Sequence, residues 1–298
     1  MNGMTKPNRK PLLSRAALGL ALALAVVPAS AMFATPAEAA KKPSFKFTKP
    51  FQDAASPLQT AINDAPKRPE VIAATAKVNA ADQALQQARG KTQREQANAA
   101  YNAAVAELGG LLTNEKAILE TAYAAIGNED DRYMAGNLAQ SLGTIALDTG
   151  MRRRGLQSML QSGKVDAATV PMFNFYVGQF SYIMNDYPTA VQALQAAVDG
   201  GFFDKNAEVI LVEALNSAGQ PQQALAALRK AVDRIAATGA KAPEAWYSRG
   251  YRIAYKAKMT DQVNAWSAEA VKNYPTPFNW LGAFQLAYET NVSVFNTH

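Results

Sequence analysis

From residue 70 to residue 290, apolar positions recur every three to four residues, and no useful stretch alternates in the two-residue rhythm of a strand. Val71, Ala74, Val78, Ala81 and Leu85 make one stripe, and Tyr101, Val105 and Leu108 another, in segments rich in Ala, Gln, Lys and Glu. The spacing predicts an alanine-rich helical hairpin over 70–108, turned at Gly90 and stopped by Gly109 and Gly110. A helix over 114–126 follows, with Ile118, Leu119, Ala122 and Ile126 on one face. Further helices are expected at 171–185, 187–199, 206–218 and 221–237. Pro188 and Pro221 fall in first turns, where a missing N–H costs nothing. Pro275 and Pro277 set off a terminal helix over 278–290, read as a cap on what precedes it. Residues 40–69 carry five prolines and little periodicity, which predicts an extended arm whose one candidate element is a short helix over 56–63.

A longer period overlies the short one. Ala190, Leu194 and Ala197 recur as Ala224, Leu228 and Ala231, each 34 residues on. Small residues at fixed helical spacing let two antiparallel helices approach closely, so Ala190 and Ala224 are expected to be buried inside their own pairs. Trp246, Gly250, Ala270 and Pro275 suggest a third copy over 243–276, its turn lengthened by one residue after the insertion at 237–244. Gly143, Gly150, Gly155 and Met159 precede Gly178, Asn185, Ala190 and Leu194 by 35 residues, a degenerate copy over 136–169.

On those residues, 136–276 resembles the tetratricopeptide repeat (TPR) family, best over 171–204 and 205–238. Asn174 and Glu208 stand where that family usually has a large aromatic residue, and Val212 where it has a small one; Trp246 fits. The resemblance implies a right-handed solenoid of helical hairpins whose first helices line a groove for a peptide or protein. Carried over by position, that groove takes Phe175, Gln179 and Tyr182, then Val209, Glu213 and Asn216, then Tyr247, Tyr251 and Tyr255. The three tyrosines also form an i, i+4, i+8 ladder, which suits peptide capture or packing into a neighbouring unit. The carboxylate-gripping sub-type uses Asn and Lys in the groove. Gln179, Glu213 and Tyr251 occupy those places, so that clamp is not expected.

The first 39 residues read as a secretory signal peptide. Lys6, Arg9, Lys10 and Arg15 precede an apolar run from Ala16 to Val27, and cleavage sites follow at Ala31 or Ala39. Twelve apolar residues span about 18 Å as a helix, too short to cross about 30 Å of hydrocarbon. With no cysteine the chain offers no lipoprotein anchor, disulfide or thiolate metal site, and a periplasmic address is expected. Beyond residue 39, 26 basic and 23 acidic residues nearly balance, so no nucleic-acid partner is implied.

Chemistry is sparse. The only histidine is His298, which removes Cys–His and Ser–His–Asp nucleophilic arrangements and the usual zinc sites. No phosphate-binding glycine motif occurs, and no cofactor, metal or catalytic residue is expected. Glu129, Asp130 and Asp131 read as helix N-terminal capping. Arg152, Arg153 and Arg154 point about 100° apart on a helix, a solvated run rather than a flat patch, with contact to anionic lipid or glycan as the alternative. Phe45, Phe47 and Phe51 alternate with lysines, in an arm that either lies on its own domain or touches lipid headgroups or a partner. The expectation is an all-α, non-enzymatic periplasmic scaffold that binds a protein or peptide of the cell envelope. The alternatives are a peripheral structural component of an envelope or outer-membrane assembly, and a carboxylate-dependent glycan-acting enzyme.

Overall fold

A computed structural model describes residues 45–295; the expected signal segment with its two candidate cleavage sites, residues 40–44 of the expected arm, and His298 lie outside the described residues. Those described form thirteen α-helices and no strand. They divide into two compact units, 45–166 with α1–α6 and 167–295 with α7–α13. The division falls within the 136–276 segment, so all but the last three residues of the degenerate copy belong to the first unit.

The first unit begins with a helix where an extended arm is expected. Most of the expected extended arm is a sixteen-residue helix, α1 (Lys49–Asp64), followed by a 3-10 turn (Ala65–Lys67). Phe51, Ala55, Leu58 and Ile62 lie on one face of α1, and all are buried. An interior proline such as Pro57 costs roughly 3 kcal/mol. Burial of the three large side chains contributes roughly 1.5–3 kcal/mol each, which outweighs it. Prolines masked a helical stripe. The alanine-rich hairpin is present as α2 (Pro69–Gln87) and α3 (Gly90–Gly110), turned at Gly90 in the left-handed region (φ +77°). Next come α4 (Thr113–Ala124), α5 (Glu129–Ile145) and α6 (Thr149–Gln161); α1 packs on α4 and α5.

In the second unit α7 (Val170–Ile183) pairs with α8 (Tyr187–Asp199), α9 (Ala207–Ser217) with α10 (Pro221–Ala237), and α11 (Glu244–Lys256) with α12 (Thr260–Asn273). Successive pairs touch through α8 and α9, then α10 and α11, and α13 (Pro277–Phe295) packs on α12. Ala190 and Ala224 have no exposed surface, as their spacing predicts. A Cβ built on Gly178 would lie 2.5 Å from Leu194 Cγ and 2.9 Å from its N, so glycine is what lets α7 and α8 meet.

One turn recurs in four helix pairs. Leu147, Asn185, Gly219 and Lys258 adopt φ between +53° and +75°. Each next residue donates its N–H to the carbonyl five residues back: Asp148 to Gly143 (2.8 Å), Asp186 to Ser181 (2.9 Å), Gln220 to Leu215 (2.9 Å) and Met259 to Ala254 (3.0 Å). This is the 6→1 helix ending, which satisfies an orphan carbonyl. The four turns stand 38, 34 and 39 residues apart, so only the central pair keeps the 34-residue spacing. In the degenerate copy the 35-residue register fails. Arg152, four residues past its turn, holds the place of Ala190 and Ala224, and it is buried. In the third copy the turn has its usual length and the extra residue lies in α11: Gly250 is nine residues before Met259, Gly178 eight before Asp186.

The terminal helix shields the preceding pair on one side only. Asn279 anchors it, its Nδ2 donating to Glu244 Oε1 (2.7 Å) and to the Tyr274 carbonyl (2.8 Å). Its other side leaves Phe278, Trp280, Leu281, Phe284 and Tyr288 exposed, where a solenoid cap would be polar.

Candidate functional site

Four of the nine residues assigned to a groove lie in the protein interior. Phe175 has no exposed surface and packs on Tyr176 and Phe202, with ring centroids 5.2 and 4.9 Å away. Gln179 and Val209 are buried, and Tyr247 sits against Trp266 (6.3 Å) and Tyr274 (6.0 Å). Their helices explain this. In α7 every residue from Phe175 to Ser181 is buried, and in α9 every residue from Ala207 to Val212. A helix buried on all sides offers no groove wall.

The other five reach the surface and come from the same three helices. Tyr182 lies near the C-terminus of α7, and Glu213 and Asn216 in the last turns of α9, all partly exposed. Tyr251 and Tyr255 lie on α11 with their rings stacked, centroids 6.0 Å apart and planes 14° from parallel; Tyr255 is 59% exposed. The expected three-rung ladder is therefore two rungs of surface and one of core.

A residue missed in the sequence joins Glu213. Arg249 on α11 donates from Nε to Glu213 Oε1 at 2.5 Å, and both side chains are 15% exposed. Its sequence signal was its place beside Gly250, 36 residues from an acid on the preceding first helix. A shielded guanidinium–carboxylate pair holds α9 and α11 in register more firmly than an exposed one would. On the second helices Arg229 plays the matching part. It donates to Glu269 (2.6 Å) and lies 4.2 Å above the Trp266 ring. Tyr182 belongs to the same polar group. Burial pushes its phenol above the usual value of 10.0; a hydrogen bond with Ser217 opposes that, Glu213 and Tyr187 add to it, and Arg249 opposes it. The phenol stays neutral through ordinary pH, a hydrogen-bonding group rather than a base.

The first unit uses its charges to fasten the chain. Asn128 caps α5 by accepting from Asp131 N (2.8 Å). Asp131, with no exposed surface, accepts from Thr48 N (3.0 Å), Thr48 Oγ1 (2.7 Å) and Gly127 N (3.0 Å). Asp130 accepts from Lys46 N (2.9 Å) and pairs with Lys164 (2.8 Å). The Lys164 and Lys46 hydrogen bonds hold the Asp130 carboxyl below its ordinary value of 3.8. The acidic run therefore ties residues 46–48 to the start of α5 besides sitting in its first turn. Phe45 stacks on Tyr133 (5.2 Å) and Phe51 is core, so these rings lie on their own unit. The arginine run is no uniform solvated stretch. Arg152 is buried, while Arg154 forms a two-pronged pair with Glu120 and lies 3.8 Å above Tyr123.

Among the described residues no group of three or more His, Cys, Asp or Glu side chains could hold a metal ion, and no helix is long and apolar enough to cross a membrane. The chain matches no protein-family model, and no curated protein matches it.

Proposed function

We propose that this protein is a non-catalytic scaffold of TPR type, exported to the periplasm, that holds a protein or peptide segment on the surface formed by the ends of α7 and α9 and the length of α11. The observation that carries the reading is the polar group in which Tyr182, Glu213 and Arg249 meet from three successive first helices, with the stacked Tyr251 and Tyr255 on another exposed side of α11. Phenols offer broad contact with a hydrogen-bonding tip at low entropic cost, the composition of protein-binding surfaces. Phe175, Gln179, Val209 and Tyr247, on the same three helices, are buried and take no part in that surface. The export reading rests on the basic start and apolar run of residues 6–27.

Crosslinking from Tyr255 replaced by a photoreactive residue, in the intact envelope, gives the partners. Tyr251→Ala combined with Tyr255→Ala should reduce their capture at least tenfold with the helical content unchanged, while Lys230→Ala on α10 should not. Undiminished capture by the double variant would overturn the assignment of this surface.

A further inference from the structure

The apolar outer face of α13 is too large to be incidental. Phe278, Trp280, Phe284 and Tyr288 are 79%, 46%, 66% and 72% exposed, and Leu281, on the same side, is 58% exposed. Trp280 and Phe284 stack at 5.7 Å, so the patch is continuous. At about 150–250 Å² per aromatic side chain, the four rings leave roughly 400–650 Å² in water. That reaches the upper end of what monomers expose, about 300–600 Å².

The chemistry of the helix narrows what covers it. Among its nineteen residues Glu289 is the one charged side chain. Helices that lie on membrane surfaces carry Lys or Arg on the polar face, and α13 has neither. A strongly charged partner would find nothing to pair with. A second apolar helix face fits, and the position of α13 supplies the reason. In the second unit each pair buries its open side against the next, and α13 follows the last pair with its own open side bare.

We propose that the α13 face docks on the α13 face of a second copy of this chain, antiparallel about a twofold axis. Two such faces, with Leu281 from each, bury close to the roughly 1,200 Å² at which specific interfaces begin. A twofold contact needs only one self-complementary patch, and an apolar stripe without charge is self-complementary. This goes beyond the proposed binding surface and does not depend on it. A dimer would present two copies of that surface to one partner.

The full chain in analytical ultracentrifugation at high micromolar concentration should sediment at twice the chain mass and dissociate on dilution. Trp280→Glu with Phe284→Glu should give a monomer with unchanged helical signal. A wild-type monomer, or a dimer that survives both substitutions, overturns the proposal. So does a monomer that floats with anionic phospholipid vesicles, which would assign the face to lipid. A second measurement does not rely on those substitutions. The chain has no cysteine, so Gln285→Cys, exposed within the same face, offers one thiol per copy. Mild oxidation should convert it to a disulfide-linked dimer, whereas Gln223→Cys on α10 should form no such disulfide. Equal crosslinking at the two positions also overturns it.

Discussion

The α5–α6 pair and the α2–α3 hairpin are both antiparallel helices in the same unit, and they are held in opposite ways. Between α5 and α6 the backbones touch. A Cβ on Gly136 would lie 2.6 Å from the Gly155 carbonyl oxygen, and a Cβ on Gly155 would lie 2.6 Å from that of Gly136. The hairpin is loose: only Val71, Ala74, Val78 and Leu108 are buried along its two long helices, and the exposed pair Lys77–Glu107 (2.6 Å) bridges it. Both carry helical periodicity, yet what separates them is where glycine replaces a side chain. Close approach gains dispersion contacts along the whole crossing and makes the pair intolerant of one added methyl group.

The strongest way to break the contrast is Gly155→Ala. In open helix the change would stabilise by up to about 1 kcal/mol. Here the methyl meets backbone on two sides, Gly136 O at 2.6 Å and Gln140 N at 2.7 Å, neither of which can rotate away. We expect a loss of about 3 kcal/mol, read in the chemical denaturation of the first unit. A loss under about 1 kcal/mol would show that the helices can part freely, and the contrast would go.

A middle case lies in the second unit. Ala224 has no exposed surface and Ala227 is partly exposed on the same helix. Ala224→Leu should cost about 1–3 kcal/mol by overpacking, and Ala227→Leu under about 0.5 kcal/mol. Thermal melts decide it; the reverse order would mean that α9 and α10 meet on a different face.

The smallest effect belongs to the loose hairpin. Lys77 and Glu107 are 60% and 49% exposed, so Lys77→Ala should change stability by less than about 0.5 kcal/mol and less still in high salt. Denaturant midpoints measured at two salt concentrations sharpen the comparison, since a salt-sensitive loss of 1 kcal/mol or more would make this bridge a structural tie.

Several elements were legible because their signals are local. The hairpin expected over 70–108, with its turn at Gly90, and the starts of α8 and α10 at Tyr187 and Pro221 follow from apolar spacing, glycine and proline within a few residues, although the second hairpin helix runs on through Gly109 and Gly110. The burial of Ala190 and Ala224 follows from their recurrence. Of the candidate surface, Tyr182, Glu213, Asn216, Tyr251 and Tyr255 were reachable from the repeat register, while Arg249 required knowing which acid faces it across two helices.

What stayed hidden depends on neighbours distant in the chain. Pro57 argued against α1 until Phe51, Leu58 and Ile62 had a core to enter. Phe175, Gln179, Val209 and Tyr247 have the periodicity of a groove wall, and only packing on every side put them inside. The 35-residue offset placed Gly155 opposite Ala190, whereas the turn hydrogen bonds place Arg152 there. Outside α1, residue order alone settles where this chain is helical, because propensity, caps and turns act over three or four residues. Which face of each helix is covered, and which is left for a partner, is settled by tertiary packing, because burial is a property of the surfaces that meet and no single segment carries both.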